Sequence, residues 1–104
     1  MKICYHCTDL ASVNNALTMY RSNLGKPTER HHYQNEVKLL RFALTGQSKS
    51  KIDFAAVKIE QPFLLSHVLW FEIKLIKRGV PFKDRKRRCR AMVLKRQAEK
   101  IQFN

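Results

Sequence analysis

Carboxylates are scarce in this sequence: its 104 residues hold eight Asp and Glu against 21 Lys and Arg, a formal net charge of +13. So few acids leave little for general acid–base catalysis, and paired catalytic carboxylates, a glycine-rich phosphate loop and a nucleophile elbow are all missing. Cysteines number three, an odd count too small for a disulfide framework and suited to a reducing compartment. No stretch reaches the roughly 18 uncharged apolar residues of a membrane-spanning helix. The richest, Pro62 to Phe71, stops at Glu72. The segment Met1-Lys2-Ile3-Cys4-Tyr5-His6-Cys7 has neither the apolar core nor the small-residue cleavage site of a secretory signal. There is no internal repeat and no low-complexity linker. An apolar fraction of 44% argues against a disordered basic tail, and the length suits one small domain spanning 1–104. The expectation is a cytoplasmic, non-enzymatic protein without a cofactor, drawn to something negative.

The charge is concentrated at one end. Residues 74–104 hold twelve bases and two acids, whereas residues 1–73 hold nine bases and six acids. The densest part, Lys83-Asp84-Arg85-Lys86-Arg87-Arg88-Cys89-Arg90, carries six bases in eight positions. Such a cluster repels itself unless a polyanion neutralises it. A solubilising tail is the bland explanation of a charge run. Apolar Met92, Val93 and Leu94 follow at once, however, and imply a folded segment. Contact with phosphates, each base releasing a condensed counterion, is the sharper reading.

Periodicity organises the rest. Residues 2–7 alternate like a short edge strand or a lead-in. Thr8 or Asp9 caps a first helix whose apolar residues Leu10, Val13, Leu17, Tyr20 and Leu24 recur at helical spacing, and Gly25 with Pro27 ends it. A second helix starts near Thr28, carries Tyr33, Val37, Leu40 and Leu44 on one face, and closes at Gly46. Together these make a helical hairpin over 1–46. Ser50-Lys51-Ile52-Asp53 reads as a capping box for a short helix through Ile59, although Ile52 to Ile59 also tolerates a strand. After a turn at Glu60-Gln61, Pro62 opens a helix to about Arg78, apolar nearly all round and therefore central or shared with a partner. Gly79 stops it. Beyond it two outcomes compete. One is a β-hairpin pairing Val80–Phe82 with Met92–Leu94 around a basic tip. The other is a basic amphipathic helix from about Arg85 to Lys100 with Leu94, Ala98 and Ile101 as its stripe.

The order helix, connector, short helix, turn, long helix and basic hairpin is that of a winged helix-turn-helix. Leu44-Thr45-Gly46-Gln47-Ser48-Lys49-Ser50-Lys51-Ile52-Asp53, with Leu75-Ile76-Lys77-Arg78-Gly79-Val80-Pro81, resembles the small helix-turn-helix proteins of bacteriophages and prophages. The resemblance spans residues 37–95. It implies a mainly helical α+β fold, with a winged-helix-like unit over 47–95, a short basic β-hairpin as wing and a tail over 96–104. It also implies an accessory or regulatory DNA-binding role, and this architecture is the only ground for preferring DNA to RNA. The candidate nucleic-acid contacts are Lys77, Arg78, Lys83, Arg85, Lys86, Arg87, Arg88, Arg90, Lys95 and Arg96. Ser66 and His67 are the only polar side chains offered for base readout by the long helix, so the phosphate contacts carry the reading.

Other constellations are weaker. Cys4-x-x-Cys7 has the spacing of half a zinc site, but His31-His32 supplies no second half of matching spacing, and no metal is expected. The same pair lacks the βαβ setting of a redox motif. His31, His32, Asn35 and Glu36 sit on one helix and do not converge from separate elements as nuclease ligands must. Trp70 and Phe71, stacking candidates in a single-strand binder, have apolar neighbours that make them core or interface residues. Two other function classes remain. One is a viral-type protein-binding module that docks on an acidic host enzyme or nucleoprotein complex, or forms a homodimer through the 62–78 helix. The other is an RNA- or ribosome-associated protein whose residues 85–100 order on binding.

Overall fold

The computed structural model describes residues 9–47 and 53–102, and these form five α-helices: α1 (Leu10–Asn23), α2 (Arg30–Thr45), α3 (Phe54–Glu60), α4 (Pro62–Lys77) and α5 (Phe82–Gln102). The described residues contain no strand, so the α+β class and the basic β-hairpin wing expected over 80–94 are both overturned. Thr8, the edge strand or lead-in at 2–7 and the Ser50 half of the capping box lie outside the described residues.

Local chemistry explains the helix ends. Asp9 caps α1, its Oδ1 accepting from the Ser12 N–H at 3.0 Å. At α2 the Glu29 N–H donates to His32 Nδ1 at 3.0 Å. Asp53, expected to reach back to Ser50, is itself the N-cap of α3 and accepts from the Ala55 N–H at 3.0 Å. Gly46 ends α2 with φ +82°, a left-handed conformation that costs any other residue roughly 1–2 kcal/mol. Gly79 does the same after α4 (φ +74°), and a Cβ there would lie 2.8 Å from the Tyr20 hydroxyl, so the site excludes a side chain twice over.

The long apolar helix is central. α4 packs against all four other helices, while α1 lies mainly on α4 and α2 on α5. Leu65, Val68, Leu69, Leu75 and Ile76 of α4 are buried with Val13, Ala16 and Leu17 of α1, Leu39, Leu40 and Ala43 of α2, and Cys89 and Val93 of α5. Each large aliphatic side chain in such a core contributes about 1.5–3 kcal/mol through removal from water. α2 turns its Leu39–Leu40–Ala43 face inward, leaving Val37 only half-buried, and Leu24 beyond α1 is exposed. No helix among the described residues is long and apolar enough to cross a membrane.

The hairpin fails for a physical reason. The Pro81 carbonyl accepts from the Arg85 N–H at 2.9 Å, so the four residues Arg78, Gly79, Val80 and Pro81 form the whole connection and Phe82 already starts the helix. Asp84 then sits in the first turn, where a carboxylate favours the helix dipole. The inward stripe is Phe82, Arg85, Cys89, Met92 and Val93, at spacings of three and four, with an arginine in one core position. That arginine hides the stripe from a hydrophobicity count.

Candidate nucleic-acid interface

Helix α5 distributes its cations by spacing. Lys83, Lys86, Arg87 and Arg90 stand at i, i+3, i+4 and i+7, the spacing of one helix face. They border a concave surface against α2 whose floor is Phe42, and no carboxylate lines it. Lys86 Nζ lies 4.6 Å above the Phe42 ring, and Arg90 Nη1 donates to the Ala43 carbonyl at 3.0 Å. These contacts fix two of the four cations. Arg87 reaches Asp84 at 3.2 Å, but both side chains are largely exposed and such a pair contributes little. A rotation of about 100° per residue carries Arg88 and Lys95 to the opposite flank. Arg96 faces α4, with Nη2 3.4 Å from His67 Nε2 and a second contact to Glu99 at 3.6 Å. Lys77 and Arg78 are exposed at the end of α4.

Two residues expected at the interface are instead interior. Ser66, proposed for base contact, is buried. Arg85 is 8% exposed and crosses the core: Nη2 donates to Glu36 Oε1 and Nη1 to the Val80 carbonyl at 2.9 Å. His67 is half-buried, and burial followed by the Arg96 charge holds its pKa below the ordinary value, so it is a neutral ring beside a cation. The ten expected contacts therefore divide into a groove of four, two exposed cations at the α4 end, an opposite flank of two, one facing α4 and one in the core.

The buried centre was not foreseen. Glu36 of α2 and Glu72 of α4 are both essentially inaccessible, beside Arg85 and the buried thiol Cys89 of α5. As carboxylates, Glu36 Oε2 and both Glu72 oxygens would have no donor among the described residues. A proton on Glu72 eases this. Burial, then a hydrogen bond to Glu36 and the charge of Glu36, raise the Glu72 pKa well above its ordinary value, with Arg85 opposing. The shift favours the neutral acid form of Glu72, while Glu36 pairs with Arg85. Burial above all also pushes the Cys89 thiol far up, which keeps it protonated and inert. The sequence clues were a lone acid inside an apolar helix and an arginine on the inward stripe of α5.

No group of three or more His, Cys, Asp or Glu among the described residues is arranged to hold a metal. The His31 and His32 rings stack on each other with centroids 4.0 Å apart, and Cys4 and Cys7 lie outside the described residues. Compared with known proteins, the chain matches no family model, no curated protein and no solved structure.

Proposed function

We propose that this protein binds double-stranded nucleic acid through backbone phosphates, using the α2–α5 groove and reading no sequence. The observation that carries the proposal is the convergence of Lys83, Lys86, Arg87 and Arg90 on one concave surface that no carboxylate lines. Phosphate contacts of this kind position a protein on a duplex without specifying bases. Ser66 is buried and His67 lies against Arg96, so neither supports base readout. Without a wing the preference for DNA over RNA loses its ground, and both duplexes belong in the test.

Fluorescence anisotropy with labelled duplexes of unrelated sequence is that test. The parent should bind them all with one affinity. Lys83→Gln, Lys86→Gln and Arg87→Gln together should weaken binding by about 500-fold at 0.1 M salt, each contact contributing about 0.9 in log K per log salt relative to 1 M. Arg90 is left in place because it also holds α5 to Ala43. Arg88→Gln with Lys95→Gln is the control on the opposite flank. Equal losses from the two variants would refute a localised groove.

A second reading, docking on a protein partner, has one observation in its favour. Ile59 and Phe63 flank the α3–α4 turn and are 82% and 69% exposed. Partners retained from a host lysate after nuclease treatment, and lost on Ile59→Ser/Phe63→Ser, would support it.

A further inference from the structure

Helix α2 is closed at its start by an imidazole. Glu29, the N-cap, donates its N–H to Nδ1 of His32 at 3.0 Å, and the His32 N–H returns to the Glu29 carbonyl at 3.0 Å. In a capping box this third helical position ordinarily holds Glu or Gln, and a Gln oxygen accepts at any pH. An imidazole nitrogen accepts only while the ring is neutral. Because Nδ1 is the acceptor, the proton of the neutral ring sits on Nε2. One more proton, on Nδ1, turns the acceptor into a second donor aimed at the Glu29 N–H.

The surroundings oppose that proton. Arg21 of α1 lines the same recess as His32 and is held by two bonds to the Pro27 carbonyl, from Nε at 3.2 Å and Nη2 at 3.0 Å. On α2 the His31 ring stacks on His32 with centroids 4.0 Å apart, and the Glu29 carboxylate lies 3.4 Å from His31 Nδ1. Arg30, in the same turn, is exposed. Tyr20 of α1, Glu36 of α2 and Arg85 of α5 complete the recess, the last two paired with each other. The helix dipole adds partial positive charge at this end. Burial, then the charges of Arg21 and His31, hold the His32 pKa below its ordinary 6.5, with Glu29 opposing. The favourable contribution of the neutral ring is therefore complete above 6.5 and lost as pH falls through the lowered value.

What the bond secures is a corner. The Arg21–Pro27 bonds and a 2.7 Å hydrogen bond between the Thr18 and Tyr33 hydroxyls join α1 to the start of α2 there, whereas α1 otherwise lies mainly on α4 and α2 on α5. We propose that His32 is a pH-sensitive latch on the α1–α2 corner: the neutral ring closes the first turn of α2, and protonation of Nδ1 opens it. The latch does not rest on phosphate binding, whose groove has its floor at Phe42, about 15 Å further along α2.

The test is NMR of the full-length protein at about pH 7.5 and at a pH where the His32 ring has taken up its proton. A local probe is needed, because Glu72 moves global stability in the opposite direction. At the higher pH the ring nitrogen shifts of His32 should show a proton on Nε2 and none on Nδ1. Protection of the Glu29 amide against hydrogen exchange, corrected for the intrinsic effect of pH, should fall about fivefold on acidification, the effect of losing one cap. His32→Gln should hold that protection constant, and His31→Gln should keep the fall seen in the parent. Equal protection of the Glu29 amide at both pH values in the parent overturns the proposal, as does a fall retained in His32→Gln or abolished by His31→Gln. A His32 proton found on Nδ1 at the higher pH overturns it without any variant having to fold.

Discussion

Replacing Arg85 by Met tests whether its charge belongs to the core or to an interface. The aliphatic stem is roughly conserved, but Glu36 loses the cation that receives its charge, and two buried carboxyl groups are left facing each other. Breaking a buried ion pair by removing one partner costs about 3–5 kcal/mol. In a domain of this size each kcal/mol lowers Tm by roughly 4–8 °C, so a fall of at least ~12 °C is expected. Urea unfolding at neutral pH, followed by circular dichroism, gives the free energy directly. Adding Glu36→Leu to Arg85→Met should recover much of the loss, since an apolar pair of similar volume avoids the desolvation of both charges. A cost below ~1 kcal/mol for Arg85→Met, or no recovery in the double variant, would show that Arg85 is not the counter-charge of the buried centre.

Glu72 makes stability depend on pH in the direction opposite to an ordinary paired carboxylate. Its folded pKa is raised above 4.5, so its favourable contribution is complete below that value and is lost as pH rises through the folded pKa. Glu72→Gln should flatten this decline in a series of unfolding curves; an unchanged slope would rule out the raised Glu72 pKa as its source. Gly79→Ala should cost more than the ~1–2 kcal/mol of the left-handed conformation alone, because the new methyl meets the Tyr20 hydroxyl. Tyr20→Phe should recover part of that excess in the same unfolding assay. Cys89, buried and held as a thiol, should resist alkylation in the folded protein and react on unfolding, as read by peptide mass spectrometry. Rapid native labelling would place it at the surface.

Most of the helical framework was legible in the sequence, because spacing and end signals agreed. The apolar repeat of α1 with Asp9 before it, Pro62 opening α4, and Gly46 and Gly79 closing their helices all rest on local chemistry that the folded chain keeps. Residues 80–102 were ambiguous for a stated reason. Arg85 occupies a core position of α5, so a stripe judged by hydrophobicity alone breaks there and leaves the short extended run at Val80–Pro81 as the stronger cue. The inward face of α2 was displaced for a similar reason: Glu36, a charged residue, lies within it. Both errors trace to one buried ionic contact between residues 49 apart in sequence. Local periodicity cannot register such a pairing. The basic segment itself was evident, whereas its division among groove, opposite flank, α4 side and core follows only from the helix.

The most direct measurement is the salt dependence of duplex binding by the parent and the Lys83→Gln/Lys86→Gln/Arg87→Gln variant. Four groove contacts predict a slope of log Kd against log salt of at least ~3.6, equivalent to about a 150-fold loss of affinity between 50 and 200 mM salt, and the variant should lower that slope by about 2.7. A slope that stays the same in the variant, or that falls as much with Arg88→Gln/Lys95→Gln, would contradict phosphate binding at the α2–α5 groove.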